Sequence, residues 1–488
     1  MIEEQLTLSL DDTAADPLYR QIYLQLRHMI LNGDLLPGTK IPPSRKLAAQ
    51  NGIGRITVTQ AYNQLEAEGF VTSRPGSGTF VAEKLTASPL PAPQELFSPT
   101  LSTWGRRIQN ASKPPRREKP RLDIDFGFGR SFPHIFPYDI WRRLLARYLS
   151  TDDVMLSRYG SPLGFYPLRE ALAGYLVHQR GVKCTPEQVV IVSGAQQALD
   201  ILARLLFNEG DKVVVESPGY NHAYRLFQAH GAHLYPLAVD EYGLPVADLP
   251  QGKKVRAAFV TPTHQFPRGG SLRLDRRLRL LEWARTQDAL ILEDDYDSEL
   301  RYDGRPLSAL QGLDESGHVV YLGTFSKVLF PALRLGYVVL PESLLAPFSQ
   351  TLALVDRGAP TLTQAAVADF IAEGYFERHL RCLRTAYAER RETLVKALDA
   401  ALGDKVSFSR IPAGLHIMIH LHPHCDEEDV IQKAASAGVG VYPGAPYYLQ
   451  EPAPPSILLG FSGLNEEQIQ EGVSRLAAVI PFPTTRQF

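Results

Sequence analysis

The strongest constraint on this chain is a rhythm. Beyond about residue 122, six short apolar runs, QVVIVSG, KVVVES, VRAAFVT, ALILEDD, VVYLGT and GYVVLP, recur between stretches of helical periodicity. Runs of this length, rich in β-branched residues, suit strands buried on both faces, and helices between them impose crossover connections. Such crossovers are right-handed and build a mostly parallel α/β sheet. Open sheets of this kind bind ligands beyond the carboxyl ends of their strands, so chemistry is expected in the residues that follow each run.

The most specific of these ends is Gly323 to Tyr337, GTFSKVLFPALRLGY, which follows the run HVVYL. Lys327 sits just past the strand beside the hydroxyls of Thr324 and Ser326, and Arg334 follows an apolar turn. A lysine held there can form a Schiff base with an aldehyde while its neighbours hold an anion. Pyridoxal phosphate (PLP) carries both groups. In VSGAQQALDIL a strand runs through Ser193 and Gly194 into a helix. Its free amides near Ala195 and Gln196 suit a phosphate, although a simple cap reads the same way. In LEDDYDSELRY, Asp294 closes an apolar strand. A carboxylate so placed needs a cationic partner, which a protonated ring nitrogen would supply, and Tyr296 lies on the same side at period two, within reach of a ring hydroxyl.

The string around Lys327 resembles the cofactor-lysine segment of the fold-type I aminotransferases. That resemblance implies that Lys327 binds the PLP aldehyde and Arg334 its phosphate. It also implies that Tyr220, after the Pro-Gly turn of ESPGYNHAY, stacks on the pyridine ring. Tyr159, in SRYGSPLGFYPLREALAGYL, matches a segment that crosses to the neighbouring subunit and bonds its cofactor phosphate, which implies a homodimer. Two positions depart from the enzymes. Where they carry the asparagine of an N-P-x-G turn, THQFPRGG places Phe266, with His264 or Gln265 as candidate substitutes. Where they carry an arginine that clamps the substrate carboxylate bidentately, SILLGFSGL places Leu458, which cannot.

The N-terminal stretch has a different character. Leu18, Ile22, Leu26, Met29 and Ile30 recur at helical spacing, Ser44 is placed to cap a second helix, and Val58, Tyr62 and Leu65 mark the inner face of a third. GFVTS and GTFVA around Arg74 to Gly78 then read as a hairpin. Three helices and a hairpin make a winged helix-turn-helix, an α+β unit whose third helix enters a major groove. The stretch from Pro17 to Val81 resembles a GntR-type DNA-binding domain. Carried over position by position, it makes Arg45, Arg55, Thr57 and Thr59 the DNA contacts, with Gly76 letting the wing approach a minor groove.

Between residues 83 and 121 Pro, Ser and Ala dominate, and the composition reads as a semi-rigid linker reaching on the order of 100 Å. The expected organisation is a DNA-binding domain over 1–82, this linker, and an aminotransferase-like PLP-binding and dimerisation domain over 122–488. A net charge of -2 confines any nucleic-acid contact to a local patch. Cys184, Cys382 and Cys425 are far apart, without metal-knuckle or disulfide spacing, so no metal is expected and a cytoplasmic location fits. The acidic N-terminus MIEEQLTLSLDD is unlike a signal peptide, and no apolar stretch is long enough to span a bilayer.

From Pro17 to Ala478, the linker apart, the chain resembles the MocR/GabR family of transcription regulators. The resemblance implies a homodimer on a double-stranded DNA operator, with PLP, an amine or an amino acid as effector, the last two forming an aldimine with PLP. Leu458 and Phe266 argue against sustained transamination. The alternatives are an active aminotransferase with an accessory DNA-binding domain, separated by turnover measurements, and a GntR regulator whose second domain is only a scaffold, separated by the absorbance of the protein.

Overall fold

The computed structural model describes residue 6 and residues 8–83, 98–110, 122–129, 135–149, 157–252 and 255–481. The chain divides into two compact units, Met1–Thr100 and Leu101–Phe488.

In the first unit, helices α1 (Leu18–Leu31), α2 (Ser44–Gln50) and α3 (Arg55–Ala67) surround a core that includes Ile22, Leu26, Leu47, Val58 and Leu65. Strand β1 (Lys40–Ile41) joins the expected hairpin, β2 (Val71–Arg74) and β3 (Gly78–Val81), in the order β1-β3-β2. The buried Tyr62 hydroxyl donates to the Pro42 carbonyl at 2.7 Å, tying α3 to the turn before α2. Ser44 is not a cap: it is the first residue of α2, Pro43 holds the cap position, and no side chain bonds the free amides there.

The second unit opens with a helix inside the expected linker, α4 (Thr103–Asn110). This corrects the sequence reading, because eight residues are too few for periodicity to stand out from a Pro-rich background. Trp104 packs 6.1 Å from the His230 ring and Arg107 pairs with Glu209 at 2.5 Å. The rest of the linker reading, 84–97 and 111–121, lies outside the described residues.

Next come β4 (Ile124–Asp125), α5 (Tyr138–Leu149) and α6 (Tyr166–Arg180), then the repeating part predicted by the apolar runs. Its elements are β5 (Val189–Val192), α7 (Ala195–Leu206), β6 (Lys212–Ser217), α8 (Asn221–Ala229), β7 (His233–Ala238) and β8 (Val255–Val260). They continue with α9 (Leu274–Gln287), β9 (Leu290–Asp295), β10 (Val319–Thr324) and β11 (Gly336–Val339). These strands form one seven-stranded sheet, β5-β11-β10-β9-β8-β6-β7, parallel except for β11. Alternate residues serve opposite faces, as period two requires. Val190, Val192, Val320 and Leu322 pack with residues of α7 and α8, whereas Val189, Ile191 and Tyr321 belong to a second core with α6 residues.

Helices α10 (Glu342–Val355), α11 (Thr361–Ala372) and the long α12 (Tyr375–Ala401) lead to a smaller sheet. That sheet joins β12 (Val406–Phe408), β13 (His416–Leu421), β15 (Tyr442–Pro443) and β16 (Ser456–Gly460) in the order β12-β13-β16-β15. Between them lie α13 (Glu427–Ser436) and β14 (Val439–Gly440), which pairs with β4, and α14 (Glu466–Val479) packs on α12. Among the described residues no helix is long and apolar enough to cross a membrane.

Candidate functional site

The carboxyl ends of β5, β6, β8, β9 and β10 meet at one edge of the large sheet, and strand direction decides what else arrives there. Because β11 runs antiparallel, its first residue, Gly336, lies at this edge opposite Val192 of β5, and Arg334 just before it reaches the same place. The result is a cavity of about 240 Å³. Nine residues expected from the sequence line it: Ala195, Gln196, Tyr220, Asp294, Tyr296, Thr324, Ser326, Lys327 and Arg334. Phe128, Gly194, Phe266 and Pro331 complete the lining.

At one end, α7 begins at Ala195 directly after Gly194, whose φ of 109° lies in the left-handed region that favours glycine. A Cβ on Gly194 would lie 3.8 Å from both terminal nitrogens of Arg334, so helix start and guanidinium face a common space. Free amides at the positive end of a helix beside an arginine suit an anion such as a phosphate. Ser326 and Thr324 line the same cavity, tied by a 3.1 Å bond from the Ser326 amide to the Thr324 hydroxyl.

At the other end the chemistry is acidic and dry. Asp294 is 8% exposed. Burial, and then repulsion from Asp295 and Asp297, push its carboxyl up to about 7, with Lys327 opposing. Asp295 points to the opposite face of the sheet, where Arg180 donates to it at 3.0 and 2.6 Å. Asp294 is thus a carboxylate at a cavity wall with room for a cation, which suits a protonated ring nitrogen. Burial holds the Lys327 amine below its ordinary range, against the pull of Asp297 and Asp294. Its Nζ lies 4.4 Å from the centre of the Phe128 ring, and a Cβ on Gly129, at φ 79°, would come within 2.9 Å of Nζ. Tyr220 caps α8 and points its hydroxyl at the Gln196 amide oxygen at 3.4 Å, with burial pushing the phenol up to about 12.

The sequence signals that failed are instructive. Phe128 belongs to the string FGFGR just after β4, far from any expected strand end, and it arrives through the β4–β14 pairing and the bond from the Gly460 amide to the Phe126 carbonyl at 2.9 Å. Neither His264 nor Gln265 lines the cavity in place of the missing asparagine. Gln265 donates to the Pro218 carbonyl at 2.8 Å and to Glu216 at 3.3 Å, whereas His264 faces Tyr296 and Asp297. Phe266 lines the cavity with its ring edge-on to Tyr220, Tyr296 and Tyr447. Leu458 is fully buried on β16 opposite Met418. Tyr159 is 82% exposed and lies outside this cavity, with the Arg357 guanidinium 5.3 Å from its ring centre.

In the first unit Arg45 and Arg55 are exposed in the opening turns of α2 and α3. Thr57 and Thr59 are half-buried, and the Thr59 hydroxyl donates to the Arg55 carbonyl at 2.9 Å. Gly76, at φ 75°, has no atom within 4 Å of where a Cβ would stand, which leaves the wing tip open. Ile56, unmarked by the sequence reading, is 76% exposed beside Arg55.

Residues 18–81 match the family of bacterial regulatory proteins of the gntR type, and residues 136–476 match aminotransferase class I and II. The probable rhizopine catabolism regulatory protein MocR of Rhizobium meliloti is 40% identical over 96% of this chain and 95% of its own. The HTH-type pyridoxine biosynthesis transcriptional regulator PdxR of Corynebacterium glutamicum is 31% identical, covering 92% of this chain and 93% of its own. Among solved structures, kynurenine aminotransferase of Pyrococcus horikoshii superposes with a TM-score of 0.70 at 32% identity, covering 74% of this chain and 91% of that one.

Proposed function

Because the chain belongs to the MocR-type helix-turn-helix transcriptional regulators, with a GntR reader and an aminotransferase class I and II domain in one polypeptide, we propose that occupancy of its PLP site sets its affinity for operator DNA. The observation that carries this reading is the meeting of Lys327, Asp294, Tyr220 and Arg334 with the start of α7 in one cavity.

When bound, PLP supplies an aldehyde that captures amines and a ring that withdraws electrons. The chain's part is to hold and orient it. Lys327 offers an amine made more available by burial. The amides of Ala195 and Gln196, the hydroxyls of Thr324 and Ser326, and Arg334 would receive the phosphate. Tyr220 would cover the ring, Asp294 would keep a proton on its nitrogen, and Tyr296 would meet its hydroxyl. Tyr159, exposed outside its own cavity, would complete the phosphate site of a second copy in a homodimer.

The effector is PLP itself or an amino compound that reacts with it. Leu458, buried against Met418, offers no cation to a carboxylate, which favours PLP. DNA affinity shifts only if the effector binds one state of the dimer better than another. On the DNA side, Arg45 and Arg55 would meet phosphates and base edges, with Thr57, Thr59 and the Gly76 wing alongside.

The test is operator affinity of the full chain without PLP, with PLP, and with PLP plus a panel of amines and amino acids, with visible absorbance of the parent and of Lys327→Ala recorded in parallel. The parent should show a visible band that Lys327→Ala lacks. Equal operator affinity in all three states would overturn the sensing role, and turnover of amino acids at ordinary enzyme rates would favour a metabolic aminotransferase.

A further inference from the structure

Tyr296 lines the cavity, yet its hydroxyl oxygen is already engaged, 3.0 Å from Nδ1 of His264. The same Nδ1 lies 2.9 and 3.1 Å from the two carboxylate oxygens of Asp297. His264 is 5% and Asp297 2% exposed, so water does not compete for these bonds. The ring is also fixed in place. A Cβ on Gly414 would fall 2.1 Å from its Cε1, where the imidazole leaves no room for one, and a Cβ on Gly269 would press its Nε2 at 3.2 Å.

The direction of these bonds decides what Tyr296 can do. Burial raises the Asp297 carboxyl and its contact with His264 opposes that rise, favouring the carboxylate; with Asp297 as the acceptor, Nδ1–H donates to it and Tyr296 lies against the same N–H as an acceptor. Burial raises the Tyr296 phenol most, and Asp297 adds to this by its charge and by a hydrogen bond, so Asp297 competes for the phenol proton. His264 occupies Asp297 and touches the phenol oxygen at the same time, so it competes with the Tyr296 hydroxyl for that carboxylate, and the cavity is the other direction open to the phenol proton. Asp294 and Glu216 also face the phenol, Lys327 acts on Asp297, and the His416 ring lies 6.0 Å from His264.

We propose that His264 is a positioning residue that, held by Asp297, fixes the Tyr296 hydroxyl as a hydrogen-bond donor to the ring oxygen of bound PLP. Phe266, which lines the same cavity, has no polar atom to offer that oxygen. The inference rests on the reading of the cavity as a PLP site.

The experiment is a pH titration of the visible absorbance of the full-length PLP-loaded protein, for the parent, Tyr296→Phe, His264→Leu, His264→Asn and the Leu/Phe double variant. A donor to the ring oxygen stabilises its ionised form, so losing it raises the midpoint. Tyr296→Phe and His264→Leu should each raise it by about one pH unit, a tenfold change in proton affinity. The double variant should shift no further, and His264→Asn, which keeps an N–H near the Nδ1 position, should stay close to the parent. A His264→Leu midpoint equal to the parent's, with Tyr296→Phe shifted, would overturn the proposal. So would additive shifts in the double variant. If His264→Leu does not fold, Asp297→Asn takes its place and should shift the midpoint in the same direction; an unshifted midpoint there also overturns the proposal. A parent with no visible band would instead sink the PLP reading itself, so the two failures are told apart.

Discussion

Lys327 Nζ lies 4.4 Å from the centre of the Phe128 ring. The ring's negative face favours the ammonium form, yet the net effect of the site is the reverse, because burial holds the amine below its ordinary range. Phe128 therefore acts more as a lid against water than as a partner for charge. Replacing it by alanine should bring the amine back toward its usual range and slow PLP capture near pH 7 several-fold. The rate at which the visible band appears on adding PLP reads this directly, and a rate equal to the parent's would reduce the ring to packing.

Asp294 gives the cofactor-free protein a pH dependence of unusual sign. Its carboxyl, pushed up to about 7, binds its proton more tightly folded than unfolded, where it titrates near 3.8. Stability from this group is therefore full at low pH and is lost as pH rises from about 4 to 7, by about 4 kcal/mol as an upper limit. Denaturant melts of the parent and Asp294→Asn across this range should converge at the acid end, the variant gaining relative to the parent as pH rises. PLP loading should shrink the difference, since a cationic ring nitrogen stabilises the ionised carboxylate. Parallel curves without PLP would show that Asp294 finds its own compensation.

Arg55 and Ile56 open α3 side by side and exposed. Arg55→Ala should weaken specific operator binding by roughly 1–3 kcal/mol if it reads a base edge. Ile56→Ala should cost less and leave the salt dependence alone, because an aliphatic contact releases no counterions. Binding isotherms at several salt concentrations distinguish the two, and an Arg55→Ala variant binding as tightly as the parent would refute this docking of α3.

Arg180 and Asp295 form an ion pair whose side chains are 0% and 2% exposed. Removing one partner strands a buried charge, which typically costs about 3–5 kcal/mol. Arg180→Met should lower the stability of the second unit by that order while leaving isolated operator contacts intact. An unchanged melting transition would mean that Asp295 takes up a proton at little cost.

Much of the site was legible because its chemistry falls at strand ends. Lys327, Asp294 and Tyr220 each follow an apolar run, and period two placed Tyr296 on the correct side of Asp294. Strand direction was not legible. GYVVLP reads the same parallel or antiparallel, and only the observed pairing with both β5 and β10 brings Arg334 back to the edge where β5 ends. Phe128 depends on a two-residue strand, β4, too short to leave a pattern. The engagement of His264 with Asp297 spans 33 residues and two different loops, so nothing local announces it. Helix α4 was lost in its surroundings because a Pro-rich neighbourhood outvoted eight residues.

The insertion of β11 between β5 and β10 also bears on how the chain assembles. Val192 and Gly336, partners across the sheet, are separated by roughly 140 residues, and loop closure over such a span is slow. During synthesis the Gly194 turn emerges long before the guanidinium that faces it, and β5 waits unpaired at a sheet edge until Val339 has been made. The winged helix, complete by Val81, can fold well before this happens. A nascent chain is thus expected to carry a finished winged helix while its aminotransferase-like half is still an open edge.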